Sequence, residues 1–134
     1  MAIFGVGAYY DDDVSQDFIN SNLVGVGWDD TEAPELHRFI RALKVGDIVY
    51  IKAYPPGRED IIVKAIGIIA DDQIRTRRDS EGLVSCGRNV RWILTEQFRI
   101  PRPHERNNVR ANTMYEEYHP AVQQIIMERI GLGG

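Results

Sequence analysis

A chain of 134 residues, 43% apolar and 27% charged, has the size and composition of one globular domain with a core of its own. Its apolar runs are only a few residues long, and its start, MAIFGVGAYYDDD, lacks the basic residues and long apolar run of a signal peptide. A helical membrane span and a secretory leader are therefore not expected, and the lone Cys86, with no second cysteine for an internal disulfide, points to a cytoplasmic protein.

Taken in order, Ala2 to Tyr10 is rich in β-branched and aromatic residues and predicts a first strand, in which Gly5 and Gly7 allow close approach of other groups. Asp13 followed three residues later by Gln16 resembles a helix-capping box and predicts a short helix over Val14 to Ser21. Leu23 to Trp28 predicts a short glycine-rich strand. Pro34 suits a first helical turn, and Leu36, Phe39, Ile40 and Leu43 then form one apolar stripe, with His37, Arg38 and Arg41 expected on the wet face. Gly46 stands where a glycine after a helix is expected.

Asp47 to Tyr54 is a clear strand, with Ile48, Tyr50, Lys52 and Tyr54 pointing one way. Pro55-Pro56-Gly57 predicts a turn, and Ile61 to Ala70 returns as a strand that is apolar on both faces except at Lys64, as a central strand would be. Asp71 to Asn89 is polar, with a turn over Asp79 to Gly82; Val90 to Leu94 and Gln97 to Ile100 carry the remaining β signal. Thr113 to Glu116 reads as a second capping box, with Glu116 and Glu117 as acids of a first helical turn. Pro120 then opens a helix whose apolar face is Val122, Ile125, Ile126 and Ile130. The expected architecture is a single α+β domain over residues 1–134: a small curved sheet or open barrel of five or six strands with flanking helices, and 111–134 as a C-terminal helical extension.

Charge is unevenly placed within a net of −4. Residues 1–36 hold eight acids and no Lys or Arg, whereas residues 75–110 hold nine arginines against four acids. That pattern suits a local phosphate-binding patch better than general coating of nucleic acid.

The strand ending in Gly27-Trp28, the helix after it, Gly46-Asp47-Ile48-Val49, Ile66-Gly67-Ile68-Ile69 and Val90-Arg91-Trp92 occur in an order that resembles the EVE-like members of the PUA-like superfamily. The resemblance covers roughly residues 3 to 95 and implies a small barrel that binds nucleic acid or a nucleotide, often through a modified base held against aromatic rings. It assigns Trp28 and Trp92 to that pocket, with Tyr9 or Tyr10 beside them, and Arg75, Arg77, Arg78 and Arg88 to phosphate contacts. The segment Ala70 to Gln73, where relatives often carry aromatic residues, has none.

No zinc, dinucleotide or phosphate-loop motif is present, and the three histidines are far apart, so no cofactor, metal or catalytic residue is expected. The reading is a binding module rather than an enzyme. Two alternatives remain: a small interaction or decoy protein that sequesters a nucleotide signal, as a homo-oligomer or with an effector protein, or a metal-dependent nuclease using Asp11 to Asp13 and Asp71-Asp72.

Overall fold

The structure is a computed structural model that describes residues 2–8, 13–53, 60–101 and 113–131. Its centre is a mixed sheet of seven strands: β1 (Ile3–Gly7), β2 (Leu23–Val26), β3 (Ile48–Ala53), β4 (Asp60–Thr76), β5 (Cys86–Leu94), β6 (Phe98–Pro101) and β7 (Met114–Glu116). Six of them lie in the order β2-β5-β4-β3-β1-β7, and β6 pairs with the start of β4. Among the described residues only β1 and β3 run parallel. The sheet is open, with β2 and β7 at its edges.

Helices α1 (Ser15–Ser21) and α2 (Pro34–Ala42) cover one face and α3 (Pro120–Arg129) covers the other. Two cores result. The larger joins Phe18, Ile40 and Leu43 to Phe4, Val6, Val49, Ile51, Ile69 and Val90; the smaller joins Val122 and Ile126 to Ile3, Ile48, Tyr50, Val63 and Ile100. This double burial is why β3 and β4 are apolar on both faces.

The strand and helix periodicities locate most elements, with four departures. β4 runs on to Thr76, because Ala70 to Gln73 forms a wide bulge rather than a turn: Ile69 pairs with Val90 and Ile74 with Arg88, leaving only Asn89 between them on β5. Met114 to Glu116 is a strand paired with β1, and neither Glu116 nor Glu117 belongs to a helix. His37 is buried, not on the wet face of α2. At α1, the Asp13 carboxylate accepts from the Ser15 backbone N–H at 2.9 Å, so it holds the helix start from one position before the Val14 cap. The expected turn at Pro55 to Gly57 and residues Tyr9 to Asp12 fall outside the described residues.

The glycine–aspartate pair before β3 has a clear mechanical role. Asp47 N–H donates to the Lys44 carbonyl at 2.9 Å, and Gly46 takes φ +92° at the third position of that turn, a conformation that favours glycine. The buried Asp47 carboxylate then accepts from the backbone N–H groups of Lys44 at 2.8 Å and Ala2 at 3.2 Å, tying the turn to the start of β1. Gly67 and Trp92 form the second device. They are directly paired on β4 and β5, and a Cβ at Gly67 would meet the Trp92 ring at 2.8 Å as well as the Val90 side chain.

Gly67→Ala should therefore lower stability by about 1–3 kcal/mol, because the added methyl has backbone on one side and a packed indole on the other. Urea unfolding should show the midpoint falling with little change in slope.

Candidate functional site

Trp28 and Trp92 are not brought together. β2 pairs with β5 from Leu23 opposite Asn89 to Val26 opposite Cys86. Trp28 lies beyond the Cys86 end of that ladder and Trp92 beyond the Asn89 end. Extended strand geometry puts them on the order of 25 Å apart. Trp92 is half-buried: its ring lies over Gly67, and its indole N–H donates to the Phe18 carbonyl at 3.3 Å. It is a packing residue that fastens α1 to the sheet. Tyr9 and Tyr10 lie outside the described residues.

Trp28 is different, with 44% of its surface exposed. Its backbone is pinned although the residue stands at the surface. The His37 Nε2–H donates to the Trp28 carbonyl at 2.7 Å, and the Ser85 hydroxyl donates to the same oxygen. One residue earlier, Arg77 donates to the Gly27 carbonyl at 3.0 Å, and Ser85 N–H donates to Val26 at 2.8 Å. The buried His37 thus serves as a post beneath an exposed indole.

The four arginines divide by what they touch. Arg88 is only 2% exposed and makes no contact with solvent phosphate possible. Its Nη1 donates to the carbonyls of Ile40, at 3.0 Å, and Leu43, and its Nη2 donates to the Asp71 carbonyl at 2.8 Å. It closes the C-terminal end of α2, where unpaired carbonyls gather. Arg75 is also engaged, through Nε to Asp79 at 2.9 Å and Nη1 to Asn89 at 2.8 Å. Arg77 pairs with Asp29 at 2.6 Å, but both side chains are half-exposed, so water and salt weaken the pair. Arg78 is exposed. Of the expected phosphate contacts, Arg77 and Arg78 alone stand on the surface, and Arg77 reaches the backbone beside Trp28.

Asp13 and Asp71 are engaged in structural contacts. Asp13 takes hydrogen bonds from Ser15 and an ion pair from Lys64; burial works to raise its pKa, but these partners outweigh it and hold the carboxyl below its usual value. Asp71 accepts from Gln73 N–H and from Asn89 Nδ2. Among the described residues no group of three or more His, Cys, Asp or Glu could hold a metal ion. Cys86 is buried, and burial pushes its thiol up.

The structure also gathers polar groups whose meeting the sequence does not announce. Tyr50, Tyr115, Glu117 and Lys52 lie together beneath α3. Tyr50 and Tyr115 hydroxyls are 2.7 Å apart, and Tyr50 donates to Glu117 at 2.9 Å. Glu117 is 1% exposed and also accepts from the His119 N–H at 3.2 Å. Burial first, then the neighbouring Tyr115 and Glu117, pushes the Tyr50 phenol above its ordinary range. Lys52 is 9% exposed with its amine 5.8 Å from the centre of the Tyr115 ring, and burial lowers its pKa from 10.5 to about 8. β1 makes room for this cluster: Gly5 is paired with both Tyr50 and Tyr115 and lies under the Tyr115 ring, and Gly7 lies against the Lys52 chain. Tyr50 and Lys52 on one face of a strand was a legible signal; Tyr115 and Glu117, assigned by their spacing to a helix start, was not.

No protein-family model and no curated protein sequence matches this chain. No helix among the described residues is long and apolar enough to cross a membrane.

Two outcomes follow from these contacts. Arg88→Met should cost about 2–4 kcal/mol, because two buried carbonyls and one part-buried carbonyl lose their charged donor. Chemical denaturation should show a loss well beyond that of Arg78→Met, which changes an exposed side chain. For Lys52, the folded pKa lies below the unfolded one, so between about pH 8 and 10.5 the unfolded chain binds the extra proton. Stability contributed by the neutral amine is full above that window and lost as pH falls through it, by about 2–3 kcal/mol. Lys52→Met should accordingly be more stable than wild type at pH 7, with the difference closing as pH approaches 10.5.

Proposed function

We propose that this chain is a nucleotide- or nucleic-acid-binding module of the EVE-like, PUA-like kind, with Trp28 as its stacking platform. The observation that carries the reading is a tryptophan, 44% exposed, on a backbone held by His37 and Ser85, with Arg77 at its side. An exposed indole costs apolar contact with water unless something covers it, and every base has a flat face that can. The pinned backbone means that little is left to order on binding. Arg77 exchanges its solvent-weakened partner Asp29 for a phosphate at small cost, and Arg78 supplies a second contact. With only one or two phosphates engaged, affinity should depend weakly on salt.

The resemblance is supported by the work its motifs do. Gly46-Asp47 fixes the turn that ties β3 to β1, and Gly67 seats Trp92. The consecutive pairing of β4, β5 and β2, each of which sends side chains into the larger core, is compatible with an open barrel. In this reading the module works in the cytoplasm on single-stranded or modified nucleic acid, and a second copy or an effector protein supplies the consequence of binding. Because Trp92 lies at the far end of the ladder, recognition rests on one ring rather than a cage of two.

Fluorescence anisotropy with labelled single-stranded RNA and DNA, with and without methylated bases, tests this. Trp28→Ala should weaken binding by about 1–3 kcal/mol, roughly 5- to 150-fold. Trp92→Ala should lower stability and leave the affinity of the folded protein unchanged. Wild-type affinity in the Trp28→Ala protein would overturn the assignment.

A further inference from the structure

Helix α2 separates two surfaces. His37, which holds Trp28, lies well round the helix from Glu35, Arg38, Phe39 and Ala42, which recur at i, i+3, i+4 and i+7 and share one stripe. That stripe forms one wall of a cleft of about 690 Å³. The opposite wall is the β1–β7 edge, where Phe4 is paired with Glu116, and Ala2 and Leu43 close the floor. The cleft follows from width. Six strands at about 4.8 Å spacing span about 24 Å, and two helices about 10 Å across leave one lane uncovered. The uncovered lane is the β7 edge. The volume is that of a small-molecule site.

The lining specifies a ligand class. Its base is an apolar corner: the Phe4 and Phe39 rings meet edge to face at 87° with centroids 5.5 Å apart, flanked by the small side chains of Ala2 and Ala42. Three acids border it, and each already faces a positive or donating group. Asp47 holds the backbone N–H groups of Ala2 and Lys44, Glu116 accepts from the Tyr118 hydroxyl, and Glu35 lies in the first turn of α2, where the helix end is positive. The two cations, Arg38 and Lys44, are exposed and make no side-chain hydrogen bond or ion pair among the described residues. What the cleft leaves unmatched is the charge of Arg38 and Lys44 beside an apolar corner, which an anion carried on an apolar ring would meet.

We propose that the cleft between α2 and the β1–β7 edge binds an aromatic anion, with its ring in the corner between Phe4 and Phe39 and its carboxylate or phosphate between Arg38 and Lys44. The site is independent of the Trp28 surface and stands whether or not that surface takes nucleic acid.

Isothermal titration calorimetry of the full chain tests it with 1-naphthoate, 1-naphthyl phosphate and the neutral 1-naphthalenemethanol. At least one anion should bind with Kd below about 1 mM, the ordinary range for an unoptimised ligand of this size, and the neutral alcohol at least about tenfold more weakly. Whichever anion binds more tightly identifies the head group as carboxylate or phosphate. The double variant Arg38→Gln, Lys44→Gln changes only exposed side chains and should weaken the anion about tenfold or more. Ala42→Trp keeps both cations but fills the cleft, and should abolish binding. Trp28→Ala should leave naphthyl binding unchanged, which separates this site from the nucleic-acid reading. The proposal is overturned if neither anion binds at about 1 mM, if the neutral alcohol binds as tightly as the anions, or if the double variant or Ala42→Trp binds like wild type.

Discussion

A single buried cation sets the position of α2, and most of what is exposed on this protein depends on where α2 lies. Arg88 extends from β5 into the larger core and donates to two carbonyls at the end of α2 and one in the bulge of β4. Burying a guanidinium without partners is very costly, so the three carbonyls and the charge enforce one another. The wide bulge at Ala70 to Gln73 gains a reason from this. It brings the Asp71 carbonyl to Nη2 and leaves Asn89, alone opposite the bulge, to hold the Asp71 carboxylate. Nε alone lacks a partner among the described residues, a cost the other contacts outweigh.

The second constraint acts on the opposite face. A strand carrying glycine at alternate positions, Gly5 and Gly7, leaves a channel in the sheet under α3. Tyr115 and Lys52 fill it, and the hydroxyl chain from Tyr115 through Tyr50 ends on the buried Glu117. The same glycines could be read as breaks in a strand. Here they exchange side-chain packing on β1 for larger side chains from β3 and β7, and they let a polar cluster sit inside an otherwise apolar core. Burial in that cluster lowers the Lys52 pKa, so the stability contributed under α3 changes between about pH 8 and 10.5.

How much of this was legible depends on how far each signal reaches along the chain. Local periodicity placed β3, β4, α2 and α3, because an apolar stripe or alternation is written in neighbouring residues. It failed at Met114 to Glu116, where a Thr-x-x-Glu spacing is shared by helix starts and by a short strand whose partner, β1, is more than a hundred residues away in sequence. It failed for His37, whose burial depends on contacts with Trp28 and Ser85 that no helical wheel contains. The arginine count misled for the same reason. Nine arginines over residues 75–110 suggest a basic surface, but Arg88 and Arg75 are consumed by backbone and side-chain acceptors brought in by the β4–β5 pairing. Trp28 and Trp92 look equivalent as strand-end tryptophans. Only the register of β2 on β5 shows that they occupy opposite ends of one ladder.

The candidate surfaces are therefore better understood through α2 than through the arginines. The helix is fixed at its end by Arg88 and along its buried side by His37 and Ile40, and it continues into the turn clamped by Asp47. One flank of this rigid rod supports the Trp28 backbone; the other forms the wall carrying Arg38 and Phe39. A ligand on either side meets groups whose backbone does not have to be ordered first, so the entropy cost that weakens binding on loops is largely absent. The hairpin of β3 and β4, for all its β signal, contributes frame rather than contact: it seats the sheet to which Arg88 fastens the helix.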